Sequence, residues 1–300
     1  MSPESRTAPP AVIVVGSLHY DITVDAPDRP RKGETVTGRA WAPAFGGKGG
    51  NQAVAASGQG APTAMVGAVG DDEFGRTLLA GLDRAGVDRA GVAILPGAGS
   101  GMSVAIFDDE GDYGAVIVSG TNLAITPGQL TDAVLAQARV LILQNEIPEA
   151  VNAALAARAR RLGVTTILNA APARPFTTDL ADHVDILIVN AVEAEMLGAG
   201  AVRALPDAVR AAEALAARCP TAIVTAGGGG VAMAGRAGAA ALPGIPVAVV
   251  STHGAGDRFV GTFAARLARG EAAPDALAAA NAAAARLVST PRDRQTSGLV

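Results

Sequence analysis

The stretch RVLILQNEIPEAVNAALAARARRLGVTTILN, residues 139–169, contains the repeating unit of the whole chain. RVLIL opens it with a short run apolar at nearly every position, as a strand covered on both faces requires. EAVNAALAARARRLG, residues 149–163, then spaces its apolar residues as a helix does, carries arginines in its last turn and stops at glycine. VTTILN, residues 164–169, is strand again. Strand, helix and strand in that order form the crossover of a parallel sheet. Downstream the alternation continues through VDILIVN (184–190), PDAVRAAEALAARC (206–219) and TAIVTA (221–226). Upstream it is present in AVIVVG (11–16), TAMVGAV (63–69) and EFGRTLLAGLDRA (73–85), with Gly86 as the stop. The expected fold class is α/β, a doubly wound, mostly parallel sheet sandwiched by helices.

Two stretches break this rhythm. Residues 22–45 are short β-prone pieces, ITVDA, ETVTG and RAWAPAF, divided by proline and glycine, and residues 103–119 read as a hairpin turning at DDEGD. Both are expected in a small β-sheet lid beside the main body. Further β pieces are expected around 231–250, and alanine-rich helices over 257–269 and 274–288. With no internal repeat and no linker, residues 1–300 are expected to form a single domain carrying lid insertions at about 22–45 and 103–119.

Composition excludes other classes. The 24 basic and 28 acidic residues give a net charge of −4 without long blocks of either sign, so neither a nucleic-acid nor a membrane partner is expected. A lone cysteine, Cys219, cannot form an internal disulfide, and the first ten residues lack the apolar core of a secretory signal, so a cytoplasmic location is expected. The mean hydropathy of +0.31 reflects alanine and valine in ordinary core elements.

Two glycine-rich stretches carry chemistry. In HGAGDRFVGTFAARLARG, residues 253–270, small residues precede an acid at a helix start, where free backbone amides gather an anion. Gly254 and Gly256 allow close approach of a phosphate, and Asp257 sits where the helix field favours its ionised, proton-accepting form. The alternative reading of Asp257 alone is an N-cap after a glycine turn. In AFGGKGGNQAVAA, residues 44–56, four glycines surround Lys48 before a helix expected from Asn51. A Walker loop would need glycine at position 42 and Ser or Thr at 49, where Ala42 and Gly49 stand. Donors at Gly47, Lys48 and Asn51 suit a polyhydroxyl ligand instead, the alternative reading of the stretch alone being a flexible turn.

These two stretches, in this order and about 200 residues apart, resemble the two signatures of the ribokinase-like (PfkB-type) carbohydrate kinases. VGSLHYD (15–21), KGETVTG (32–38), NEIP (145–148) and APAR (171–174) are similar to intermediate stretches of that family. The resemblance implies ATP as phosphoryl donor, Mg2+, and a pentose such as ribose, or a nucleoside or other furanose compound, as acceptor. It implies Asp257 as general base and Gly254, Ala255 and Gly256 as the anion hole. For the sugar it implies Asp21, Gly47, Lys48, Asn51 and Glu146; His19 and Tyr20, where the chain departs from the family, are read either as a further pair hydrogen-bonding the sugar or, for His19, as a packed surface histidine. It implies Asn190 and Glu193 for phosphate and, through water, magnesium; Thr225, Gly227 and Gly230 for ATP; and Asn281 beside the adenine. A homodimer formed through the lid sheet is also expected.

The chain departs from the family at four places. His19 stands where the family usually has Asn. Ser251, Thr252 and His253 precede the anion hole where an acid is usual, which puts a monovalent-cation site in doubt, with Arg292 or Arg294 as substitutes for the ion. Gly229 replaces a basic residue, and the tail lacks the family's glycine-containing cation loop. Two further readings compete. Gly227, Gly229 and Ala232 imitate a dinucleotide-binding turn, but no helix pattern follows and no acid appears until Asp257. A catalytically inactive sugar-binding relative is the other.

Overall fold

The computed structural model describes residues 9–110 and 113–290. Its strands are β1 (Val12–Val15), β2 (His19–Asp25), β3 (Ala40–Gly46), β4 (Thr63–Gly70), β5 (Asp88–Leu95), β6 (Met102–Phe107), β7 (Tyr113–Val118), β8 (Val140–Gln144), β9 (Thr165–Asn169), β10 (Ile186–Asn190), β11 (Thr221–Thr225), β12 (Val231–Gly235) and β13 (Ala240–Leu242). Its helices are α1 (Lys48–Ser57), α2 (Glu73–Arg84), α3 (Asp132–Leu135), α4 (Glu149–Leu162), α5 (Thr178–Ala181), α6 (Ala191–Met196), α7 (Leu205–Ala216), α8 (Ala255–Ala268) and α9 (Ala273–Val288).

The large sheet runs β13-β12-β11-β10-β9-β8-β1-β4-β5, parallel except for the antiparallel pairings of β11 with β12 and β12 with β13. Side chains alternate between two cores. Ile13 and Val15 of β1 enter the layer under α4 and α7, while Val12 and Val14 enter the layer shared with Phe259 and Phe263 of α8 and Leu277 of α9. The chain builds from β1 outward to β5, then crosses back to β8 on β1's other side. Loops at the carboxyl ends of β1 and β8 therefore diverge and leave a crevice. A second sheet, β3-β2-β6-β7, pairs β2 with β6 in parallel and is otherwise antiparallel.

The doubly wound class and the 103–119 hairpin are as expected, and several particulars differ. ETVTG forms no strand: residues 34–38 have no ladder partners, and all but the half-buried Val36 are exposed. β5 escapes the periodicity reading because Asp88, Arg89 and Gly91 interrupt it, and as the sheet's edge it does not need two apolar faces. Strand structure ends at Leu242, and residues 243–250 run without a ladder. Both signature helices begin early, α1 at Lys48 and α8 at Ala255, because Gly47 and Gly254 adopt positive φ (83° and 73°) and turn the chain into the first helical residue.

α1 and α8 pack side by side through Gly261. A Cβ on Gly261 would lie 2.4 Å from the Gln52 carbonyl oxygen and 2.6 Å from Ala55 Cβ. The absent side chain thus sets the separation of the two helices, and with it the relation of their N-termini. Gly261→Ala is expected to push them apart and destabilise the protein by about 1–3 kcal/mol in urea unfolding. A change below about 0.5 kcal/mol would show that the crossing relaxes freely.

Candidate active site

Asp257 occupies the third position of α8 and is buried against α1. Its Oδ1 accepts from Gln52 Nε2 at 2.9 Å and its Oδ2 from Asn51 Nδ2 at 3.3 Å. The Arg258 amide closes the first turn onto the Gly254 carbonyl, and the amides of Gly256 and Asp257 ahead of it have no intrahelical acceptor. Gly254, Ala255 and Gly256 therefore form the open end of a long helix, with a carboxylate one turn inside it. Burial raises the Asp257 carboxyl above its usual range, opposed by the charge of Lys48 and the Gln52 hydrogen bond and reinforced by Glu146. The helix field and this loss of hydration act on the carboxyl in opposite directions.

The GGKGG turn is tied to the same crevice. Glu146 Oε2 accepts from Ser17 Oγ at 2.5 Å and from the Lys48 amide at 2.9 Å, and stands 3.9 Å from His19 Nδ1. Asp21 projects from β2 above Gly46, where any Cβ would strike its Oδ2 at 1.9 Å, and its Oδ1 accepts from Ser103 Oγ of β6 at 2.5 Å. Burial raises the Asp21 carboxyl too, with the Ser103 bond and His19 opposing. His19, Asp21, Gly47, Lys48, Asn51 and Glu146 thus converge on one crevice, joined by Ser17 and Ser103, which sequence reasoning missed. Ser103 became findable only through the β2–β6 register, which sets Asp21 opposite it. Tyr20 does not join them. Strand alternation turns it to the opposite face, where it stacks on Phe74 with ring centroids 4.2 Å apart.

At the end of β10, Asn190 and Glu193 form a reciprocal capping box for α6: Glu193 N donates to Asn190 Oδ1 and Asn190 N to Glu193 Oε2, each at 2.9 Å. A capping box alone would leave the acid solvated, whereas Glu193 is buried. Burial raises its carboxyl, Lys48 opposes this, and Asp257 adds to it. Both signature helices thus reach Glu193 electrostatically. Thr225 ends β11 beside this loop, and Gly227 faces open space. Gly230 has a packing duty, since a Cβ there would meet the Leu242 carbonyl at 2.1 Å. Asn281 donates to the Pro243 carbonyl at 3.1 Å, holding the loop after β13 against α9. Among the described residues no three His, Cys, Asp or Glu side chains group as a metal cage, and no helix is long and apolar enough to cross a membrane. Ser251 is buried, and its Oγ accepts the His253 amide at 3.3 Å. Arg292 and Arg294 lie outside the described residues.

A model of the pfkB family carbohydrate kinases matches residues 10–297. The chain belongs to this family. A ribokinase of Bacillus subtilis is 36% identical over 275 residues, spanning 91% of each chain. One from Mus musculus is 36% identical over 267 residues, spanning 86% of this chain and 82% of that one. The structure of Arabidopsis thaliana ribokinase complexed with ribose and ATP superposes with a TM-score of 0.85 at 29% identity, over 98% of this chain and 99% of that one. This pfkB protein is an ATP-dependent carbohydrate kinase. The imitation of a dinucleotide turn ends in β12, a strand where that reading needs a helix.

The raised Asp257 carboxyl has a thermodynamic sign. Below the ordinary carboxylate range, folded and unfolded chains are both protonated at this site. As pH rises through that range toward the folded value, the unfolded chain ionises first and stability falls. Asp257→Asn removes this penalty while keeping an oxygen for Gln52. It is expected to melt about 1–3 °C above the parent near pH 8, the gap closing toward pH 4. A variant melting below the parent near pH 8 would show that the ionised carboxylate is net stabilising.

Proposed function

We propose that this kinase transfers the γ-phosphoryl group of ATP to the hydroxymethyl hydroxyl of a pentose such as ribose. The observation that carries the reading is the buried Asp257 carboxylate, set inside the open N-terminus of α8 and hydrogen-bonded to the sugar-side turn through Asn51. Asp21, Asn51, Lys48, Glu146 and the Gly47 turn offer the mixed donors and acceptors a polyol needs, with His19 walling the same crevice. Asp257 accepts the hydroxyl proton as the sugar oxygen attacks, and the amides of Gly256 and Asp257 face the charge on the transferred group. Thr225, Gly227, Gly230 and Asn281 border the nucleotide, Gly230 and Asn281 by holding the loops that do so.

Glu193 fits a magnesium ion bound largely through water, because that ion takes one or two carboxylates together with substrate phosphates in place of a protein cage. Bound there, the ion would neutralise phosphate charge. The small sheet serves as a lid that excludes water, and a second copy pairs with it. Trp41 of β3 and Val116 of β7 are 67% and 68% exposed on that sheet, as an unpaired apolar face would be. The monovalent-cation site is weakened, since Ser251 supplies no charge and its hydroxyl already accepts from His253. Activation by potassium is accordingly expected below about fivefold at constant ionic strength.

Asp257→Asn is expected to lower kcat by about 10²- to 10⁴-fold with sugar and ATP affinities nearly intact. Asp21→Ala and Asn51→Ala are expected to act mainly on sugar affinity in calorimetry. Retention of more than about a third of the parent kcat by Asp257→Asn would remove the base from the account. Unchanged affinity in both alanine variants would remove the pocket, and hydrogen exchange unaltered by sugar in residues 22–45 and 103–119 would remove the lid.

A further inference from the structure

Gln52 is wholly buried in α1, and nothing said of the sugar or nucleotide gives it a task. Its environment nevertheless dictates its orientation. Asn169, at the end of β9, donates Nδ2 to the Ile188 carbonyl at 3.3 Å. A backbone carbonyl only accepts, so Asn169 must turn its nitrogen that way and its Oδ1 toward Gln52. Gln52 Nε2 lies 3.0 Å from that Oδ1 and 2.9 Å from Asp257 Oδ1, and uses one hydrogen on each. A flipped Gln52 would set its oxygen against two acceptors. Its own Oε1 has no hydrogen-bond partner, so donation alone holds the amide. Polarity thus passes from a main-chain carbonyl of β10 through two amides to one oxygen of the carboxylate.

We propose that Gln52, oriented by Asn169, is a positioning residue that keeps a permanent donor on Asp257 Oδ1 and so makes Oδ2 the oxygen that takes the substrate proton. The inference rests on Asp257 being the base. In the step, the sugar O–H bond breaks and its proton passes to Oδ2. The electron pair stays on the sugar oxygen, which bonds to the γ-phosphorus, and ADP leaves with the electrons of the broken P–O bond. Oδ1, already holding a hydrogen bond from an amide with no other place to turn, is an acceptor throughout. The longer contact from Asn51 leaves Oδ2 the more available of the two oxygens. The charged groups acting on Asp257 are Lys48 of α1 and Glu146 after β8, while Asp257 in turn acts on Glu193 of α6. None is altered by changes at Gln52 or Asn169.

The test is the pH dependence of kcat for the full chain with ribose and ATP. Gln52→Leu removes a donor to the charged carboxylate, so the acid limb is expected to move upward by about one pH unit, with kcat falling and the KM for sugar changing less than about twofold. Asn169→Ala removes one of the two acceptors that fix Gln52, leaves Asp257 alone to orient it, and is expected to move the limb the same way by less. It carries the test alone if Gln52→Leu does not fold. An acid limb at the parent position in Asn169→Ala, or in a folded Gln52→Leu, overturns the proposal. An Asp257→Asn control separates the two levels. If it is inactive while the limb stays put, only the role of Gln52 fails; if it is active, the assignment of the base fails first.

Discussion

The close packing of α1 on α8 at Gly261 is the constraint on which the site depends. Each helix begins at a glycine with positive φ, and each carries its chemistry in the first turn: Lys48, Asn51 and Gln52 on α1, Asp257 on α8. Far apart along the chain, these residues meet because a Cβ is missing where the helices touch. The glycine–lysine turn and the open end of α8 are thereby joined through one carboxylate. The parallel sheet beneath supplies the remainder, since its switch between β1 and β8 brings Ser17 and Glu146 to the same crevice.

The electrostatics follow from that packing. Asp21, Glu193 and Asp257 are all buried, and burial is the leading cause of the upward shift in each. Burying three such acids, two of them within the field of Lys48, costs stability. It is compatible with handling a proton and a polyphosphate, because a base with a raised carboxyl holds a transferred proton better than an exposed one. Fixed donors from Gln52, Asn51 and Ser103 keep two of the carboxylates oriented. The site is thus held by neutral hydrogen-bond donors as much as by charge.

Much of this was legible in the residues. Apolar strands ending in glycine or asparagine, with helical spacing between them, determine the α/β class. The two glycine-rich helix starts point to the family, whose model matches residues 10–297. What escaped was what pairing across the fold decides. β5 is an edge strand and tolerates charge; the side Tyr20 faces depends on where β2 begins; Ser103 meets Asp21 only through strand register. Gln52 did leave a trace, as an amide on a helix face otherwise made of Ala53, Ala55 and Ala56, all buried. Its meaning required seeing Asn169 and Asp257 on either side of it.

The central claim, that this crevice directs ATP to a pentose hydroxyl through Asp257, is tested most directly by ADP release from the full chain across pentoses, hexoses and nucleosides. The account predicts that ribose or a closely related pentose has the highest kcat/KM and raises ADP release at least about 100-fold above sugar-free hydrolysis. ADP release that no pentose stimulates, or that a nucleoside stimulates best, would contradict it.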